Sequence, residues 1–369
     1  MNELLQDITY RDYLNLHKYV LAAYILFGTF ILKLLLGQKK RFIRNDRNIL
    51  ITYIIFLILF AGTRAKNIGV DTGNYYAYFF LPATRLDGFF AIFYRLNTDF
   101  LFEIIIALTV WTDNYNATLI VIAVILNITL YFFVRKFTNF GKEGSSLLLF
   151  LTLASSFSFM NLEVNIMRNA LALGFILLSL PYVLEGKYKK SILLLVTAFL
   201  FHRTSIILIF VILAVLAARK VPVKYFIILY FLAILVSIAG FGFHSISFLE
   251  SIGSDDLKSL SYSGDTNYNI GFRLDFVTYN TFFLVLFLHF LNKDSVKNIF
   301  LLKYYILTSI IFFFNFYIPF SDRFGLFSWL IIPLLLYNIV NESYPEKKVF
   351  ISTVVVISFF IINDIILFP

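Results

Sequence analysis

The chain has 369 residues, 60% of them apolar, with 46 Phe, 23 Tyr and a mean hydropathy of +0.84. That apolar share exceeds the usual about 45–50% of globular domains and, at about 17–25 residues per crossing, fills roughly a dozen membrane passes. A soluble enzyme is excluded. A nucleic-acid reading of the pI near 9.4 is unattractive in so apolar a chain, and the absence of cysteine removes disulfide frameworks, thiol nucleophiles and Fe–S sites. The fold class expected is all-α: a polytopic membrane protein with about 12 transmembrane helices, forming a single integral membrane domain over residues 1–369.

Residues 1–18 carry Glu3, Asp7 and Asp12 against Arg11 and Lys18, without a basic leader or a small-residue cleavage site. They are not read as a cleavable signal peptide, and the run Tyr19–Leu36 is expected to stay as an anchor. In chain order the apolar runs are 19–36, 49–63, 117–134, 145–160, 167–184, 191–201, 204–218, 225–240, 276–291, 298–314, 324–340 and 349–366. Six loops between them are basic: 39–47, 135–143, 185–190, 219–224, 293–303 and 342–348. These hold 19 of the 31 Lys and Arg but only 6 of the 22 Asp and Glu. By the positive-inside rule they are cytoplasmic, which puts both termini outside. The surplus of +9 is therefore a topological label.

Lys190 and Arg219 must then share the inner side, although too few residues separate them for two full crossings. Either two short helices or a hairpin turning inside the membrane is expected, with His202 and Arg203 at the turn. The expected outer loops are 64–116, with an apolar stretch Phe100–Trp111 that is either re-entrant or interfacial, and 241–275, rich in Ser, Gly, Asp and Asn.

No GxxxxGK[ST], GxGxxG, HExxH or GxSxG signature occurs, and the four histidines are not spaced as metal ligands. The polar clusters lie on the expected outer side. Arg64 is followed by Gly69, Asp71, Tyr75 and Tyr76, which reads either as interfacial anchoring or as a binding loop. Arg168 opens an apolar helix, where a cation opposes the positive end of the helix dipole. It is there either to meet an anion or to pair with Glu163. His202 at the forced turn is a candidate general base, against the alternative of a packed imidazole bonded to a carbonyl. Asp322 and Arg323 start a late helix, and Arg273 and Asp275 precede another; each pair could be a rim salt bridge. Together Arg64, Arg168, Arg203, Arg273 and Arg323 suggest a polyanion site, because guanidinium forks match phosphate oxygens.

At these residues the chain resembles the EpsG/Wzy-type polymerases of bacterial surface polysaccharide. The likeness is carried by Arg64, Gly69, Asp71, Thr72 and Tyr75, then Arg168 and Ala172, then Ala198, Phe201, His202 and Ser205, and finally Arg323. One departure is Arg203 directly after His202. The resemblance implies a metal-independent membrane glycosyltransferase of GT-C-like fold with no cofactor, in the bacterial inner membrane. It would join undecaprenyl-diphosphate-linked repeat units into O-antigen, capsular or exopolysaccharide at the outer leaflet. One or more of Arg168, Arg64 and Arg323 would hold the donor diphosphate, His202 or Asp71 would accept the proton, and Tyr75 and Tyr76 would stack on sugars. Arg203, Arg273 and Asp322 complete the candidate substrate contacts. Implied partners are the lipid-linked oligosaccharides, membrane lipid, a chain-length regulator and a flippase, and no nucleic acid. The competing readings are a lipid-linked oligosaccharide flippase or other transporter, and a membrane O-acyltransferase of surface polysaccharide.

Overall fold

The computed structural model describes residues 9–86, 99–139, 144–243, 269–343 and 347–367, all helix or connecting turn with no strand among them. The principal helices are α1 (Tyr10–Leu34), α2 (Lys39–Gly62), α3 (Phe100–Thr109), α4 (Tyr115–Phe137), α5 (Ser146–Ala154), α6 (Phe159–Val164), α7 (Met167–Leu184) and α8 (Tyr188–Phe201). They continue with α9 (Ile206–Ala217), α10 (Val223–Ile238), α11 (Leu274–Phe290), α12 (Val296–Phe314), α13 (Asp322–Trp329), α14 (Ile332–Ser343) and α15 (Lys348–Phe360). The apolar runs of the sequence lie largely on helix, with 145–160 and 324–340 each divided between two helices. Among the described residues, seven stretches are long and apolar enough to cross a membrane: Tyr10–Leu34, Lys39–Gly62, Tyr115–Phe137, Met167–Leu184, Val296–Phe314, Asp322–Glu342 and Lys348–Ile366. The protein is an all-α polytopic membrane protein. Much of the expected outer loop 241–275, and residues 87–98 of the other, lie outside the described residues.

The chain forms two compact units, Met1–Ile209 with Pro345–Pro369, and Phe210–Tyr344. In the first, local chemistry fixes the helix ends. Thr9 caps α1 by accepting the Asp12 amide at 3.1 Å, and Asn114 caps α4 through the Asn116 amide at 3.0 Å. At α5 the cap is shared. Ser145 accepts the Leu148 amide at 3.0 Å, while buried Asp46 of α2 takes the Ser146 and Leu147 amides at 3.2 and 3.1 Å and the Ser145 hydroxyl. A carboxylate from another helix thus meets the positive end of α5. The close approach of α2 to α4 needs Gly62, since an added Cβ would sit 2.9 Å from the Ile120 Cα.

Charges from three basic clusters meet at one end of this unit. Arg135 lies 3.7 Å from Asp46, and Lys136 and Lys187 bond Glu185 at 2.5 and 2.8 Å. At Glu185, slight burial is outweighed by these two ammonium groups, which hold its pKa below the ordinary carboxylate value.

The second unit is organised on polar side chains that satisfy one another, as a helix bundle in lipid requires. Asn280 of α11 donates to Ser309 and Ser328 at 3.1 and 3.2 Å and accepts from Trp329 Nε1 at 2.9 Å, joining α11, α12 and α13. Lys303 of α12 donates to the Ala218 and Arg219 carbonyls at 2.9 and 3.0 Å, at the C-terminal end of α9. Asn298 donates to Glu342 at 2.6 Å.

Candidate functional site

The end of the first unit away from its basic clusters is where α2 and α8 stop and α3, α4 and α7 start. Here α8 ends at His202, whose backbone is extended (φ −159°, ψ 120°), before a 3-10 turn over Arg203–Ser205. So α8 and α9, of 14 and 12 residues, are each shorter than a full crossing and are joined at this turn.

Asp99 immediately precedes α3. It is 2% exposed, with Oδ2 2.5 Å from Arg168 Nη1 and 3.1 Å from His202 Nδ1, while Oδ1 accepts the Arg203 amide at 3.2 Å. Burial alone would raise its pKa, but His202, Arg168 and the Arg203 amide outweigh that and hold it below the ordinary carboxylate value. Arg168 therefore pairs with Asp99 rather than with Glu163, whose Oε2 accepts from Asn127 Nδ2 at 3.0 Å. The Arg168 guanidinium also lies over Phe79 and Tyr75, 5.0 and 5.6 Å from the ring centroids. Arg168 and His202 keep 27% and 20% of their side chains exposed, so both are reachable from outside the protein.

Arg64 sits differently. It is 2% exposed and spends its donors on main chain: Nη1 on the Ala61 carbonyl, Nη2 on the Val164 carbonyl at 3.1 Å and more loosely on Thr72 Oγ1 at 3.4 Å. Ala61 O belongs to the last turn of α2, where carbonyls lack helical partners and a cation is favoured. Thr72 Oγ1 donates to the same Val164 carbonyl at 2.8 Å, and Tyr115 donates to the Thr72 carbonyl at 3.1 Å. The loop carrying Asp71 is thereby fastened to the α6–α7 junction and α4. Gly69 turns it at φ +92°, where an added Cβ would meet Asn165 Oδ1 at 2.6 Å and Val164 O at 2.8 Å. Asp71 is half-buried at the start of a single turn, Thr72–Tyr75. Tyr75 is buried against Phe102 at 5.5 Å, and Tyr76 packs edge-on to Tyr115 at 5.3 Å with the Lys66 ammonium 4.9 Å from its centroid. Beside this loop an open cleft of about 250 Å³ is lined by Tyr10, Lys66, Asn67, Gly69, Val70 and Gly73.

Arg273, Asp322 and Arg323 belong to the second unit. Arg273 forks onto Asp275 at 2.6 and 3.0 Å and covers Phe276 at 4.3 Å. Arg323 lies 5.0 Å from the ring of Phe320, whose φ of +58° is unusual for a bulky residue. Asp322 opens α13. Among the described residues no group of three or more His, Cys, Asp or Glu side chains is placed to hold a metal ion.

Sequence reading singled out Arg168 and His202, which the structure brings together, but missed Asp99, which joins them. The available signal was an acidic residue directly ahead of the Phe100–Trp111 run.

An all-helical membrane bundle with an arginine–carboxylate–histidine cluster at one end is the class of protein these features define. Residues 47–368 match the EpsG family, and the chain belongs to that family. No curated protein and no solved structure matches it. Membership supports a polysaccharide polymerase-type role of the glycosyltransferase kind.

Proposed function

We propose that the protein polymerises undecaprenyl-diphosphate-linked oligosaccharide repeat units into O-antigen, capsular or exopolysaccharide. It does so as a metal-independent glycosyltransferase of GT-C-like fold, acting as one integral membrane domain at the outer leaflet of the bacterial inner membrane. The reading is carried by one observation: Arg168 and His202, half-open to the surroundings, share Asp99 at the end of the bundle opposite the basic clusters. The positive-inside rule assigns those clusters to the cytoplasm, so this end faces out, as do both termini. Rising from that side, the 14 residues of α8 span about 21 Å of a core about 30 Å thick. His202 then lies below the headgroups, where charge interactions are strong.

In this reaction the acceptor sugar's hydroxyl oxygen forms a bond to the donor's anomeric carbon and gives up its proton to His202 or Asp71. The bond between that carbon and the diphosphate oxygen breaks, and the departing diphosphate keeps the electron pair. Arg168 uses the guanidinium donors not bonded to Asp99 to hold the diphosphate as its charge grows. Arg203 supplies a further contact to phosphate or sugar, and Tyr76 an aromatic face; Arg273, Asp322 and Arg323 of the second unit are that unit's own candidate contacts to lipid-linked phosphate or sugar. Arg64 acts through the loop it fastens, which presents Asp71. A flippase delivering the lipid-linked units and a chain-length regulator are the partners this activity requires.

The test is the polysaccharide ladder of cells producing His202→Ala or Arg168→Ala protein at normal membrane level. The reading requires that long chains vanish and single-repeat material remains. Full-length ladders would refute it, near-total loss of lipid-linked sugar outside the membrane would indicate a flippase, and unchanged length without acylation an acyltransferase.

A further inference from the structure

Asp99 stands at the start of α3, where an aspartate ordinarily turns onto the first amides of its own helix. It makes no such bond. Its buried carboxylate reaches two other helices and the turn between α8 and α9. An ionised carboxylate can only accept hydrogen bonds, so the hydrogen between Oδ2 and His202 Nδ1 belongs to the imidazole. The other ring nitrogen, Nε2, then carries a lone pair, and it makes no hydrogen bond among the described residues.

We propose that Asp99 is a positioning residue of the transfer site. It holds His202 in the tautomer whose Nε2 takes the acceptor's proton, and it balances the imidazolium that results. The inference rests on the polymerase reading above and selects His202 over Asp71 as the proton acceptor. The charge count supports it. With Asp99 ionised, Arg168 charged and His202 neutral, the cluster is neutral. Proton transfer makes it +1 as the diphosphate leaves with its electron pair, so positive charge appears beside growing negative charge. Without Asp99 the same step would take the cluster from +1 to +2, with the imidazolium forming against Arg168.

The charged and titratable groups joined to His202 are Asp99, which precedes α3, and through it Arg168 of α7, with Tyr75 against Arg168; Arg203 follows on its own turn and Glu103 stands in the first turn of α3. Asp99→Asn keeps the shape, but its amide can donate to Nδ1 and drive the ring hydrogen to Nε2. In nanodiscs with a purified lipid-linked repeat unit, kcat should fall roughly 10²–10⁴-fold, the share a general base contributes. KM should move far less, and the acid limb of the rate profile should shift to lower pH. A readout independent of turnover is acylation of His202 by diethyl pyrocarbonate, followed by mass spectrometry against pH. In Asp99→Asn the ring should stay reactive to lower pH than in the wild type. Asp99→Glu, which retains the charge, should restore both pH profiles while recovering only part of kcat.

If Asp99→Asn lowers kcat, raises KM and moves neither pH profile, or if Asp99→Glu titrates like Asp99→Asn, the inference fails and Asp99 is a structural clamp. If wild-type protein makes no polymer while the acylation profile still shifts in Asp99→Asn, the polymerase reading fails and the Asp99–His202 coupling stands.

Discussion

Arg64→Lys separates a joint from a ligand. In the structure the guanidinium reaches two carbonyls from two amino groups, Ala61 O at the end of α2 and Val164 O at the end of α6. A lysine ammonium is compact and cannot span both positions at once. Hydrogen bonds from charged groups contribute about 1.5–3 kcal/mol each, so losing one costs roughly that amount. Arg64→Ala removes both, leaving the Ala61 carbonyl without its guanidinium and the Val164 carbonyl with Thr72 Oγ1 as its remaining side-chain donor, and costs about 3–6 kcal/mol on the same scale. At about 2 °C per kcal/mol for a chain of this size, the Tm should fall by about 3–6 °C for lysine and about 6–12 °C for alanine. The measurement is thermal unfolding of purified protein in nanodiscs. It is paired with maleimide labelling of Ile68→Cys, a position 2% exposed in a chain that has no cysteine of its own. Labelling should accelerate as the loop comes loose. Unchanged Tm and labelling, with a raised KM for the lipid-linked donor, would show that Arg64 meets substrate directly and would refute this account.

Three further outcomes follow from the same geometry. Gly69→Ala should cost about 2–5 kcal/mol, combining positive-φ strain with contacts as short as 2.6 Å, and should lower activity through the Asp71 loop; Gly73→Ala, with only one atom within 4 Å, at 3.8 Å, should be near neutral in the same melts. Asn280→Leu should destabilise the second unit by about 1–3 kcal/mol because the buried Trp329 indole loses its acceptor, and limited proteolysis should show earlier cleavage within 210–344. Because the Asp99 pKa is depressed on folding, its stabilisation is present above the unfolded value near 3.9 and lost as pH falls through the lower folded value. The Tm gap between wild type and Asp99→Asn should thus not narrow between pH 7 and about pH 5 and should close only below about pH 4; a gap that closes near pH 6 would contradict the sign of this linkage.

The helices were legible because twenty or so consecutive apolar residues leave the backbone no other way to satisfy its amides and carbonyls in lipid. Where those helices break was not. The run 145–160 divides into α5 and α6 at Ser155–Ser158, and apolarity does not mark that break. The candidate site was half legible. Arg168 and His202 stood out because each puts a polar group beside a long apolar helix. Asp99 did not, because its partners lie 69 and 103 residues further on and no local periodicity records a contact of that range. Arg64 was conspicuous for the same reason as Arg168, yet only the fold reveals that its donors go to a carbonyl 100 residues away.

In so apolar a chain every buried charge must be matched, and the kind of match separates scaffolding from chemistry. Lys303 and Arg64 are matched by main-chain carbonyls, which cannot change protonation state, and Arg135 faces a carboxylate already engaged by two amides of α5. Arg168 is matched by a carboxylate that also binds an imidazole, a group able to take up a proton near neutral pH. A proton gained at His202 therefore changes the field at Arg168, and an anion arriving at Arg168 changes the readiness of His202 to accept a proton. No other arginine in the first unit shares a carboxylate with a histidine among the described contacts. That reciprocal coupling is what glycosyl transfer from a diphosphate needs, because the acceptor's proton and the leaving group's charge must move together.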